Sequence, residues 1–262
     1  MDTHIMSSEQ KFTEETVLWL KKHSPKHLTF AITRPEHFRF SAGQFARLGF
    51  RVGEHGYIWR AYSVTSAEYD DTLVFFVILI ENGEISAHFA QLQAGDTILL
   101  DKTAQGFFLP QRFPDGRDLI MLSTGSGIAP FLSMLHQPEI WQRFDTLALA
   151  HCVSYRNDLI FNDEIAQFAE HPLVGEYVSR LRFVPMTTRE TDADTLHFRL
   201  PESLKNGSLS QAFGLNFDKE HSRFMICGNP EMVQDTFKTL LDMGFAMHRN
   251  KLAGHIILEN GF

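Results

Sequence analysis

The rhythm of apolar residues changes once along this chain, near residue 114, and that change limits its architecture more than any other feature. Between residues 28 and 109 the apolar residues fall in short runs rich in Phe, Val, Ile and Thr: HLTFAIT, QFARLGF, IWRAYSVT, TLVFFVILI and DTILL. Runs of this kind read as strands. Turn-forming stretches separate them, at Pro35, at Ala42-Gly43, across residues 51–56 and at residues 94–96. Closely spaced strands of this sort predict an antiparallel barrel or sandwich. One helix interrupts them, because EISAHFAQL follows the turn Glu81-Asn82-Gly83 and places Ile85, Phe89 and Leu92 on one face.

Beyond Phe113-Pro114-Asp115-Gly116 the strand-like runs DLIMLS, TLALAHC, RLRFVPM, RFMICG and HIIL alternate with helix-like segments, which is an α/β pattern. Helices are expected over residues 128–135, 162–170 and 230–241. Each follows a strand closely enough for a right-handed parallel crossover. The expected fold is therefore α+β in two domains, an antiparallel β-barrel over residues 1–113 and an α/β parallel-sheet domain over residues 114–262. A length of 262 residues suits two compact units.

A formal charge of -8 argues against a nucleic-acid surface, which needs concentrated Lys and Arg. Two cysteines, Cys152 and Cys227, can build neither a disulfide framework nor a four-thiolate iron–sulfur site. The first residues are polar, without the apolar stretch of a secretory signal, and no later run is long enough to cross a bilayer. A cytoplasmic protein with no membrane association is expected. Thirteen histidines form neither HxH nor HExxH, so no metal site is assigned. The nucleophile-elbow pattern GxSxG of hydrolases is also absent.

Three motifs bear chemistry. In LSTGSGIAP, residues 122–130, a strand runs into a glycine turn and then a helix. The missing side chains at Gly125 and Gly127 let backbone amides approach a pyrophosphate. In RAYS, residues 60–63, Arg60 can hold a phosphate, Tyr62 can lie against an aromatic ring and Ser63 can hydrogen-bond a ring edge. In CGNPEM, residues 227–232, a strand end again meets a glycine and a helix start. If both strands are parallel, Cys227 faces the crevice of Gly125 and Gly127. Taken singly, each motif also suits a bland role: a plain strand-turn-helix, a half-buried strand and a buried inert thiol.

In this order and spacing, the motifs resemble the ferredoxin–NADP reductase superfamily, specifically its bacterial flavodoxin/ferredoxin reductase branch, over nearly the whole chain. The resemblance implies that the barrel binds FAD and the second domain NADP(H). Arg60 would pair with the FAD pyrophosphate, Tyr62, beside Ala61, would pack on the isoalloxazine, and Ser63 would lie near the flavin N5. Val77 and Ile78, ending the FF-containing strand, and Gly83, Glu84, Ile85 and Ser86 would also meet FAD. Thr124 would sit near both cofactors, while Gly125, Gly127, Cys227 and Gly228 would guide the nicotinamide. Glu259 would act either as a proton-relay group or as a supporting neighbour of the residues that touch the flavin, in a tail with Asn260, Gly261 and the aromatic Phe262. Arg189 and Arg199 would read the 2′-phosphate. Relatives often carry a further Arg where this chain has Val153-Ser154, and Arg156 is the candidate replacement.

The implied activity is electron transfer between NADPH and a one-electron carrier, ferredoxin or flavodoxin, with Ser63, Cys227 and Glu259 at the reaction zone. Docking of the carrier is expected to be transient and electrostatic, on a monomeric enzyme, with basic clusters at Lys21-Lys22, Arg249/Lys251 or Arg112 and Arg117. Three other readings share parts of this pattern: the reductase component of an oxygenase, a non-catalytic nucleotide-binding or redox-sensing module, and a reductase of free flavin.

Overall fold

The computed structural model describes residues 11–53, 56–191 and 194–260. The barrel half of the chain is one six-stranded sheet in the order β4-β3-β6-β1-β2-β5. Its strands are β1 (Phe12–Lys22), β2 (His27–Thr33), β3 (Phe45–Val52), β4 (Gly56–Ser63), β5 (Thr72–Ile78) and β6 (Thr97–Asp101). All its pairings are antiparallel. The two outer strands meet where Val64, just past β4, bridges Phe75 of β5, so the sheet curls towards closure. Closure protects edges that would otherwise invite aggregation.

The inward residues of these strands, among them Phe30, Ile32, Leu48, Phe75 and Leu100, form one buried cluster. Helix α1 (Glu84–Gln91) plugs it with Ile85 and Phe89, and the Phe89 ring meets Phe50 and Tyr62 edge-on. Burying side chains of this size contributes roughly 1.5–3 kcal/mol each. Strand β1 was not foreseen. Its start, Thr13-Glu14-Glu15-Thr16, is polar, yet Glu15 is buried because its carboxylate accepts the Thr33 hydroxyl of β2.

The second half is a five-stranded parallel sheet in the order β11-β10-β7-β8-β9. It comprises β7 (Asp118–Thr124), β8 (Thr146–Val153), β9 (Leu181–Thr187), β10 (Ser222–Gly228) and β11 (Ile256–Asn260). Both faces are covered, which explains the unbroken apolar runs. Leu119 and Met121 of β7 join one core with α2 (Ala129–Leu135), α3 (Pro138–Arg143) and α4 (Asn162–Gln167). Ile120 and Leu122 join the opposite core with α5 (Leu200–Lys205), α6 (Ser208–Phe213) and α7 (Pro230–Asp242). The expected helices at 128–135, 162–170 and 230–241 are present, the first two partly as 3-10 turns.

From β7 the chain steps outward to β8 and β9, then returns to the other side of β7 as β10. That reversal opens a crevice at the carboxyl ends of β7 and β10, the position where ligands bind in open α/β sheets. The barrel closes over the same end. Phe76 of β5 belongs to the core under the parallel sheet and meets Phe161 edge-on at 4.9 Å. The Ser133 hydroxyl donates to the Ser66 carbonyl across 2.7 Å, and the Tyr69 hydroxyl to the His136 carbonyl across 3.1 Å.

Candidate functional site

Two glycine turns face each other in the crevice. Gly127 lies against the end of β10, where a Cβ would come within 2.2 Å of the Cys227 carbonyl oxygen. Gly228 has φ +146°, and a Cβ there would come within 2.2 Å of the Thr124 hydroxyl oxygen. Only glycine permits this approach. The Thr124 hydroxyl also accepts the Asn229 N–H over 3.1 Å, tying the turns together. Asn229 in turn caps α7 by accepting the N–H groups of Glu231 and Met232, and Pro130 and Pro230 occupy first-turn positions that need no internal donor.

These turns open onto a cleft of about 940 Å³ that also contains the end of β4. The expected site residues Arg60, Ala61, Tyr62, Ser63, Val77, Ile78, Ile85, Ser86, Thr124, Gly125, Gly127, Arg189, Arg199, Cys227, Gly228 and Glu259 all line it. Gly83 and Glu84 do not: Gly83 caps α1 and donates to the Ile80 carbonyl, and Glu84 opens the helix. Arg156 is also absent from the lining. Its guanidinium lies 3.4 Å from Asp194 in an exposed ion pair, and its backbone N–H donates to Glu190. Asn260 pairs with Gly228 in the sheet. Gly261 and Phe262 lie outside the described residues.

The electrostatics of the cleft are set by burial. Tyr62, wedged against Phe89, has its pKa pushed up to about 12 by desolvation, against a lowering by Arg60. Desolvation also raises Glu259 to about 7. Burial, then the neighbouring Glu259 carboxylate, holds the Cys227 thiol well above its ordinary range. Cys227 is therefore a neutral thiol at pH 7 and no nucleophile. Arg60 donates Nη1 to the Trp59 carbonyl over 2.8 Å. The Arg189 guanidinium lies 5.8 Å from the Tyr155 ring centroid, and both residues line the cleft.

Sequence reasoning missed several lining residues, including Lys26 and His27 from the start of β2, Ser126, Tyr155 and Asp158. It also missed His151, buried behind the first glycine turn with Nε2 3.0 Å from the Gly125 carbonyl oxygen. No local motif marks it, and its place follows only from the register that sets it opposite Ser123. Among the described residues no cluster of His, Cys, Asp and Glu could hold a metal ion, and no helix is long and apolar enough to cross a membrane.

Comparison with known proteins agrees with this geometry. The oxidoreductase FAD-binding domain family matches residues 20–107 and the oxidoreductase NAD-binding domain family residues 121–238. The chain is 35% identical to ferredoxin–NADP reductase A of Sorangium cellulosum, over 96% of this chain and 90% of that one. It is 36% identical to the flavodoxin/ferredoxin–NADP reductase of Escherichia coli, over 75% and 77%. A crystal structure of a ferredoxin NADP⁺ reductase from Neisseria gonorrhoeae, with bound FAD and NADP, superposes with a TM-score of 0.91 at 62% identity, covering 97% of this chain and all of that one. With both halves matched, and relatives aligned along nearly its full length, the chain belongs to the bacterial ferredoxin–NADP reductase family.

Proposed function

We propose that this chain takes a hydride from NADPH onto bound FAD and passes the electrons one at a time to ferredoxin or flavodoxin. The observation that carries this reading is the single cleft shared by the RAYS strand and both glycine turns. The residues present fit the cofactors. Gly127 and Gly228 leave backbone bare at a strand-end crevice, as a pyrophosphate requires. A volume of about 940 Å³ accommodates extended ligands.

When bound, the flavin supplies the conversion between two-electron and one-electron chemistry. The protein supplies alignment and charge. Arg60 would hold the FAD pyrophosphate by charge-assisted hydrogen bonds. Tyr62, its ring braced by Phe89, would pack against the isoalloxazine. Ser63 would offer its hydroxyl to the flavin N5 edge, with Ala61, Val77, Ile78, Ile85 and Ser86 as the surrounding wall. Gly125, Gly127, Cys227 and Gly228 steer the nicotinamide, and Thr124 keeps their turns together. Glu259, with a pKa of about 7, can hold or release a proton at its carboxyl near neutrality. Arg189 and Arg199 receive the 2′-phosphate, and Ser154 leaves the site one cation poorer than many relatives. Arg156 is the proposed replacement cation, and it would have to leave its exposed ion pair with Asp194 to reach the phosphate.

The two units divide at residues 113/114, in the stretch between the two family matches. A monomer is the proposed working unit. The cytoplasm is the proposed compartment, supported by two buried free thiols.

The test is to purify the protein, record its visible spectrum and follow anaerobic bleaching by NADPH and by NADH. Retained FAD, bleached preferentially by NADPH and reoxidised by ferredoxin or flavodoxin, is expected. A colourless protein that neither binds added FAD nor consumes either nucleotide would overturn the reading.

A further inference from the structure

His151 stands where an aliphatic side chain would be the cheaper choice. It continues the row of Leu147 and Leu149 on one face of β8, both in the core beneath the sheet. Its exposure is 2%, and its Nδ1 has no hydrogen-bond partner among the described residues. Burying an imidazole there costs free energy that one hydrogen bond only partly offsets. A buried polar group left half-satisfied in a native protein needs a reason.

The bond it does make is informative. Nε2 lies 3.0 Å from the carbonyl oxygen of Gly125, the residue at φ +51° that begins the first glycine turn. A carbonyl only accepts, so Nε2 carries the hydrogen and Nδ1 is a bare lone pair. Burial keeps the ring neutral, with its pKa lowered to about 4. The Ile78 side chain of the barrel lies 3.3 Å from where a Gly125 Cβ would be. Gly125 thus has neighbours in both the barrel and β8. In a trans peptide the N–H points opposite to the preceding C=O. Holding the Gly125 carbonyl inward on the imidazole therefore turns the Ser126 N–H outward, and Ser126 lines the cleft.

We propose that His151 is a positioning residue for the nicotinamide nucleotide, fixing the Gly125–Ser126 peptide so that its N–H is presented to the cleft. The proposal rests on the function given above and assigns the histidine no contact with nucleotide or flavin.

The experiment compares His151→Leu, which removes the donor, with His151→Gln, whose amide nitrogen reaches about as far as Nε2. His151→Asn, one carbon shorter, is the third arm. NADP⁺ binding to the FAD-loaded protein is measured by difference spectroscopy, with KM and kcat for NADPH measured using ferricyanide as acceptor. His151→Leu is expected to raise both the NADP⁺ Kd and the KM for NADPH about tenfold, as loss of one hydrogen bond predicts. Its kcat and flavin spectrum should stay near wild type. His151→Gln should bind within about threefold of wild type, and His151→Asn should resemble His151→Leu. In the cofactor-free protein, ¹⁵N NMR should show a neutral ring protonated on Nε2 at pH 6. Equal NADP⁺ binding by wild type and His151→Leu, or equal losses in His151→Leu and His151→Gln, would overturn the proposal. Should His151→Leu not fold, the Gln and Asn variants decide by the same comparison: equal affinities in those two overturn it. Wild type that binds FAD but no NADP⁺ would instead sink the functional reading on which it rests.

Discussion

Gly228 passes beneath Thr124 so closely that a Cβ would come within 2.2 Å of the threonine hydroxyl oxygen and 2.9 Å of its backbone nitrogen. Its φ of +146° is equally hostile to a side chain. Gly228→Ala should therefore both strain the backbone and force the two glycine turns apart. Overpacking and strain together suggest a loss on the order of 2–4 kcal/mol. The urea midpoint should fall, and NADP⁺ affinity should fall with it. An alanine variant matching wild type in both would mean that the turns can separate at little cost.

Arg189 lines the cleft, its guanidinium 5.8 Å from the Tyr155 ring centroid. A charge-assisted bond to a 2′-phosphate contributes about 1.5–3 kcal/mol. Arg189→Ala should then lower kcat/KM for NADPH roughly 10- to 100-fold while leaving NADH within about threefold. Steady-state kinetics with both nucleotides would check this. Equal losses for the two nucleotides would assign Arg189 to some other part of the ligand.

The glycine turns and RAYS were legible because each needs its residue types within a few positions of sequence. Features requiring register or tertiary charge were not. His151 looks like one histidine among thirteen until the pairing of β7 with β8 sets it behind Gly125. Strand β1 was hidden by the polar run at residues 13–16, although Thr33 across the sheet satisfies Glu15. Arg156 is placed by sequence near the 2′-phosphate, whereas its exposed ion pair with Asp194 depends on a tertiary contact that no local motif marks. Gly83 and Glu84 were placed near the phosphates by resemblance, and their structural work here is to begin α1.

Glu259 links stability to pH. Desolvation raises its pKa from an ordinary 4.5 to about 7, so the native chain binds this proton more tightly than the unfolded one. Its contribution to stability therefore declines as pH rises from about 4.5 to 7, then levels off. Glu259→Gln removes the titration. Cofactor-free Glu259→Gln should be more stable than wild type at pH 8, by on the order of 2 kcal/mol, with the gap narrowing towards pH 5. Chemical denaturation across this range would test it, and a pH-independent gap would show that Glu259 finds a compensating partner.

Phe107 is 76% exposed on the loop beside Gly106, where a Cβ would lie 3.4 Å from the Glu259 carboxylate. Arg112 steadies the loop, donating to the Phe107 carbonyl over 2.9 Å and to Asn250 over 3.0 Å. Exposed Leu252, Arg249 and Lys251 follow on the neighbouring segment. This exposed aromatic, on a loop that Arg112 steadies, is the docking surface expected for an acidic carrier, with the ring as anchor and Arg112, Arg249 and Lys251 as steering groups. Phe107→Ser should lower kcat/KM for ferredoxin or flavodoxin about tenfold. NADPH oxidation with ferricyanide should be unchanged, because a small acceptor needs no docking surface. Arg249→Gln should instead weaken the salt dependence of carrier reduction. Stopped-flow traces at low and high ionic strength would separate the two effects. Carrier reduction unaffected by either substitution would place the docking surface on another side of the cleft.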